Sequence, residues 1–251
     1  MLEKLQDSLL DIGDYISLGW SEFTKNFKAF VIITLFINLP IAIVGLFLPS
    51  EVEPSPTDAM MTLLYVILST ILGTLAAVAA IKMVDRSILG QKSSANMALK
   101  SAIPKVFIAV SISILTAIVV GIGLILLVIP GIWLAILLSF TMHAIALRGC
   151  GLNALSYSRS IVKDRWWAVF GRTSLLGFCL ILLMIILAIA VGIIFALLNL
   201  ANLSALDIAV ELISTLIFAL INYYAITVYT VVFLNFDYTR NPPQQLSEDL
   251  I

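Results

Sequence analysis

The sequence predicts an all-α integral membrane protein. Six transmembrane helices form three hairpins, each preceded by a cytoplasmic amphipathic helix. Three observations carry this. Of 251 residues, 61% are hydrophobic and only 12% are charged, with a mean hydropathy of +1.12, more apolar surface than a soluble core uses. Residues 106–142 contain no charge and are interrupted only by Pro130-Gly131. As one helix this run would measure about 55 Å against a hydrocarbon core of about 30 Å. It therefore reads as two spans with Pro130 and Gly131 at a tight hairpin turn, because Pro cannot continue a helix and Gly adopts turn dihedrals cheaply. The third observation is the placement of the bases.

The six apolar runs lie at about 28–49, 60–82, 105–129, 131–147, 169–198 and 207–235. Between the first two, "SEVEPSPTD" (50–58) holds acids and prolines but no base, and "NLANLSAL" (199–206) is uncharged. Every Lys and Arg falls elsewhere: Lys4, Lys25 and Lys28 before span one; Lys82, Arg86, Lys92, Lys100 and Lys105 around the second connection; Arg148, Arg159, Lys163, Arg165 and Arg172 around the fourth; Arg240 in the tail. With six spans all fourteen lie on one side, and the positive-inside rule makes that side, and both termini, cytoplasmic. The expected organisation is an interfacial helix (1–27), a six-span domain (28–240) and a cytoplasmic tail (241–251). No cleavable leader is expected, since the first 27 residues are charged throughout.

Before span one, Leu2, Leu5, Leu9, Ile12, Ile16, Trp20, Phe23, Phe27 and Phe30 recur every three or four residues, with Glu3, Asp7, Asp11, Asp14 and Glu22 opposite. Such a stripe belongs to an amphipathic helix lying in the headgroup plane. Alternatively, the acidic helix docks on the basic segments of the same chain. Ser93 or Ser94 is expected to cap a short helix carrying Ala95, Ala98, Leu99 and Ala102. Leu152, Leu155, Val162 and Trp166 form a similar face in the fourth connection, next to Trp167 at the level of an aromatic belt. The junctions "KNFKAFVII", "SAIPKVFIAV" and "KDRWWAVFG" share one plan. A threefold internal repeat and ordinary membrane-entry composition both account for it.

Three stretches carry a family likeness. "LVIPGIWLAILLSF", followed by "GLNALSYSRSIVKDRWWAVFG" and preceded by "LGQKSSANMALKSAIPKVFI", resembles the YciC-type bacterial inner-membrane proteins. It also resembles the related membrane domain attached to some glycerophosphodiester phosphodiesterases. The resemblance covers most of the chain and implies six spans with cytoplasmic termini, in a family without an established activity. The phosphodiesterase chemistry itself belongs to a separate soluble domain with metal-binding acids and histidines, which this sequence lacks.

Function is less legible. With one His and two Cys, no metal centre, disulfide framework or cofactor is expected, and the near-neutral charge gives no reason to expect a nucleic-acid partner. The polar residues assemble no catalytic group, so a non-enzymatic role is expected. Two readings remain. In the preferred one the cytoplasmic bases form a platform for anionic lipid or a membrane-protein partner, with Lys100, Lys105, Arg159, Lys163, Arg165, Trp166 and Trp167 as headgroup contacts. In the rival one a small transporter or channel runs a polar path past Asn38, His143, Glu211, Asn222 and Tyr229. For His143 the expectation is an imidazole hydrogen-bonded at the interface rather than a proton relay. For Glu211 it is a boundary position that reaches water.

Overall fold

The computed structural model describes residues 2–48, 55–201, 203 and 206–241. These residues form helices and connecting turns, with six helices long and apolar enough to cross a membrane. The acids of 50–54 and the tail beyond Asn241 lie outside the described residues. The spans run Phe27–Gly45, Pro56–Ile88, Ala95–Leu126, Val128–Arg148, Gly151–Leu200 and Asp207–Tyr238, within a few residues of the sequence reading except where connecting helices are included.

Helices α1 (Leu2–Asp7) and α2 (Ile12–Lys25) precede span one. Span one consists of α3 (Phe27–Ile33), a π-helical turn (Thr34–Asn38) and α4 (Leu39–Gly45), with Pro40 at a helix start, where its missing N–H costs little. Span two is α5 (Pro56–Ile88). It opens with a capping box in which the Ser55 hydroxyl accepts from the Asp58 N–H and the Asp58 carboxylate accepts from the Ser55 N–H. Its end is a Schellman turn: Gln91 N–H donates to the Arg86 carbonyl and Gly90 N–H to that of Ser87, with Gly90 at φ +72°.

Helix α6 (Ala95–Leu126) is capped by Ser94, as expected, but the short cytoplasmic helix is not separate. It continues unbroken into span three, carrying Pro104 within it. Ala76, Ala79 and Ala80 of α5 are buried, as are Ala95, Ala98, Ala102 and Ala109 of α6. Small side chains of this kind let two membrane helices approach closely.

The Pro130-Gly131 turn is corrected. The chain breaks three residues earlier, at Leu127, whose extended backbone (φ −156°, ψ 128°) separates α6 from α7 (Val128–Leu137). Pro130 sits in the first turn of α7, where a helix has no use for its amide proton. Gly131 serves contact rather than turning: a Cβ there would lie 2.6 Å from the backbone nitrogen of Leu124. A Cβ on Gly123 would lie 3.1 Å from Gly131 Cα, so the two glycines face each other across the hairpin. Gly131→Ala is expected to force the hairpin apart and lower stability by about 1–3 kcal/mol. Gly121→Ala, whose Cβ meets nothing, is the matched control in a thermal-unfolding comparison.

Span four is not continuous. After Leu137 it breaks, resumes as α8 (Thr141–His143), and ends in a second π-helical turn (Ala144–Arg148) closed by Gly149 at φ +66°. The break is sealed by α9 (Ala154–Val162) of the next connection. Its fully buried Ser158 accepts from the Phe140 N–H at 3.2 Å and donates to the Leu137 carbonyl at 2.8 Å. Irregular backbone among apolar helices survives when another element satisfies it in this way. Lys105 Nζ donates to the carbonyls of Ile145 and Ala146 within the π turn.

Helix α10 (Trp166–Leu200) is buried only near its start, at Val169, Thr173 and Leu176. No residue from Phe178 to Leu200 is buried, so this stretch is left for lipid. Helix α11 (Asp207–Tyr238) is the opposite. Every residue from Thr230 to Tyr238 is buried, and α11 packs against α1, α2, α4, α5 and α10. A helical stretch buried on all sides, as residues 230–238 are, belongs at the centre.

The N-terminal stripe divides between two environments. Leu5 and Phe30 are fully buried and Phe23 nearly so, whereas Ile16, Trp20 and Phe27 remain 40–58% exposed. The buried half packs along α11, which carries no base, rather than on the basic connections, with Gly19 so close that a Cβ would meet Val228 Cγ2 at 2.5 Å. The exposed half is what remains to face lipid.

Candidate functional site

The basic ends of the helices are knitted together. Asp237, fully buried, accepts from Arg148 Nε at 2.8 Å and Nη2 at 2.5 Å, and from the Tyr157 hydroxyl at 2.7 Å. The Arg148 guanidinium also lies over the Tyr238 ring, 5.5 Å from its centroid. A second buried acid, Glu22, accepts from Lys25 Nζ and from the Ser87 hydroxyl, both at 2.6 Å. Asn235 binds the α1–α2 segment through both ends of its amide. Its oxygen accepts from Leu10 N–H and the Tyr15 hydroxyl, and its nitrogen donates to the Leu5 and Ser8 carbonyls. Arg172 Nε donates to the Leu10 carbonyl, Arg165 to the Thr239 hydroxyl, Lys82 to the Ser101 carbonyl, and Arg240 to the Asp164 carboxylate.

This sorts the predicted headgroup contacts. Lys105 and Arg165 are partly engaged within the protein: carbonyls and a hydroxyl satisfy part of their donor capacity. Lys100, Arg159 and Lys163 are exposed and make no side-chain hydrogen bond among the described residues. Arg159 and Lys163 are four residues apart, so they lie along one face of the α9 end.

Beside them runs an apolar groove. Trp166 Nε1 donates to the Trp133 carbonyl at 3.3 Å, and its ring stacks on Phe170 with centroids 5.0 Å apart. Ile129, Ile132, Trp133, Trp166 and Trp167 enclose a cavity of about 350 Å³. Trp133 also lines a second cavity of about 300 Å³, completed by Val119, Leu134, Leu137, Leu138 and Leu155, together with Ser156 and Arg159. Two apolar slots that share Trp133, with Arg159 among the residues lining one of them, suit acyl chains below a phosphate. Arginine supplies the planar, bidentate donor that phosphate takes best.

The predicted polar path does not form one line. Asn38 accepts from the Tyr223 hydroxyl at 2.8 Å. His143 is buried with neither ring nitrogen hydrogen-bonded among the described residues, stacked 5.3 Å from Phe233. This corrects the expectation of an interfacial hydrogen bond: the break at 138–140 turns His143 into the Phe140–Phe233 cluster. Asn222 is exposed on the outside of α11, and Tyr229 donates to the Thr173 carbonyl at 3.0 Å. Glu211, exposed in the second turn of α11, shares a pocket with Asn38. Among the described residues no three His, Cys, Asp or Glu side chains gather. The thiol of Cys150 is pushed up by burial, which keeps it unreactive.

Sequence reasoning missed Trp133, Ser158, Asn235 and Asp237. In sequence, Trp133 is one more apolar residue of a span. The other three are polar residues in helices whose partners come from remote parts of the chain, and periodicity carries no such information. No protein-family model, curated protein or solved structure matches the chain.

Proposed function

We propose that this chain is a non-enzymatic protein of the bacterial inner membrane, with both termini cytoplasmic and of the YciC type, that holds anionic phospholipid in the groove between α7 and the start of α10 and organises the membrane around it. The observation that carries the reading is that Arg159 lines a largely apolar cavity together with Trp133. Exposed Lys163 one turn further on and the Trp166–Trp167 pair support it. The bases bring the phosphate, and the slots take the chains. The transport alternative loses support because its five residues form no continuous line: Asn38 and Glu211 share a pocket, while His143, Asn222 and Tyr229 lie apart from it.

Each base near an anionic surface contributes about 1 kcal/mol, so replacing both Arg159 and Lys163 with Gln is expected to weaken retention of an anionic lipid by about 30-fold. Native mass spectrometry of protein extracted gently from membranes measures this directly. Trp133→Ala is expected to reduce retention of anionic and neutral lipids alike, because it removes the side chain that both slots share. Equal retention of phosphatidylglycerol by wild type and the double Gln variant would sink the proposal.

A further inference from the structure

At the other end of the bundle, a pocket of about 330 Å³ lies between spans one, two and six. We propose that it binds an organic ammonium group. This site is separate from the lipid groove, and on the orientation proposed above it faces the non-cytoplasmic side.

The lining decides the chemistry. Among the described residues Glu211 is the one charged side chain in the wall, accompanied by Asn38, Tyr65 and Thr215 over an aliphatic floor that includes Ile41 and Leu212. The Thr215 hydroxyl donates its proton to the Glu211 carbonyl at 2.9 Å, which leaves its lone pairs for an incoming N–H. The Asn38 oxygen already accepts from Tyr223, while its Nδ2 makes no hydrogen bond among the described residues and offers a donor to an oxygen on the same ligand. Tyr65 adds a phenol oxygen and a ring face, and a cation is attracted to both.

Among the described residues no Lys or Arg lines the pocket, because the bases of spans one, two and six all sit at the opposite ends of those helices. Asp207, one turn before Glu211, has a buried carboxylate oxygen with no hydrogen-bond partner among the described residues. A cleft of one sign with low-dielectric walls concentrates counter-ions. Size then separates an organic cation from a metal ion. A bare divalent ion needs six or more oxygens at about 2.0–2.6 Å, whereas the pocket offers one carboxylate and is far larger than an ion. It is large enough for an ammonium with a few carbons and an oxygen, as in ethanolamine.

The backbone is shaped for this pocket. The π turn Thr34–Asn38 adds a residue to the helical turn and sets Asn38 at its end, a distortion that recurs at functional sites. A Cβ on Gly45 would stand 3.0 Å from the Tyr65 hydroxyl, so glycine is what allows Tyr65 to lean across the opening.

The ammonium has two sources, a free amine or the headgroup of phosphatidylethanolamine. The full chain in nanodiscs of phosphatidylglycerol alone is titrated with ethanolamine, following thermal stability. In parallel, native mass spectra are recorded from nanodiscs containing phosphatidylethanolamine. Glu211→Gln is expected to weaken binding at least tenfold, Gly45→Val to abolish it, and Glu211→Asp to retain part of it. Saturable stabilisation by ethanolamine that Glu211→Gln removes identifies a free amine. Stoichiometric phosphatidylethanolamine lost in Glu211→Gln, without an ethanolamine response, identifies the headgroup. Identical behaviour of wild type and Glu211→Gln toward both probes, or no response of wild type to either, overturns the proposal.

Discussion

Asp237→Leu, with Arg148 left in place, is expected to destabilise the folded bundle by about 3–5 kcal/mol, because the substitution strands a largely buried guanidinium. The carboxylate it removes is fully buried and accepts from Arg148 and Tyr157, residues of the fourth span and the connection after it. The ion pair therefore ties the end of span six to the segment that carries the candidate lipid groove. Arg148→Met is expected to cost a similar amount, for the mirror-image reason. The double variant should recover most of the loss, since apolar groups of similar volume commonly replace a buried pair at little cost. A double-mutant cycle of unfolding in detergent gives the coupling. Additive single losses would mean that the pair contributes nothing to holding these elements together.

The second large effect is expected at Asn235. One amide satisfies two backbone carbonyls, one backbone N–H and a tyrosine hydroxyl of the N-terminal segment. Asn235→Leu keeps the volume and leaves those groups without partners, at a cost of about 3 kcal/mol or more if they stay buried. The segment should therefore undock rather than the bundle unfold. Hydrogen exchange is expected to show α2 losing protection while α10 and α11 keep theirs; unchanged α2 protection would count against the clamp. The same contact carries a pH dependence. Burial raises Tyr15 from 10.0 to about 12, with the nearby Arg172 charge acting in the opposite direction. The folded state therefore holds the phenolic proton where the unfolded chain has lost it. The contribution is complete below pH 10 and declines between pH 10 and about 12. Tyr15→Phe should flatten that decline.

The chain writes its spans and their shared polarity into its local pattern. Twenty-residue apolar runs, an uncharged stretch too long for one helix, and fourteen bases confined to alternate connections are properties of short windows, and lipid acts on them as windows. Ser94 as a cap belongs to the same class, because a cap touches only its own first turn. The position of the turn in the second hairpin does not. Pro130 is compatible with both a turn and a helix start, and the choice fell to Gly123 and Gly131, whose contact lets the two helices close three residues earlier.

Which polar side chains matter is a question of partners. Lys105 and Arg165 look like Arg159 and Lys163 in sequence, yet a carbonyl-bearing π turn and Thr239 partly engage the first two. Asp237 is an ordinary acid at the end of a span until Arg148 reaches it across 89 positions. Segments and their polarity follow from the transfer of each window between water and lipid, a local free energy. Which charges are sealed inside, and which stay open to a ligand, follows from pairings between remote residues that exist only once the helices have packed.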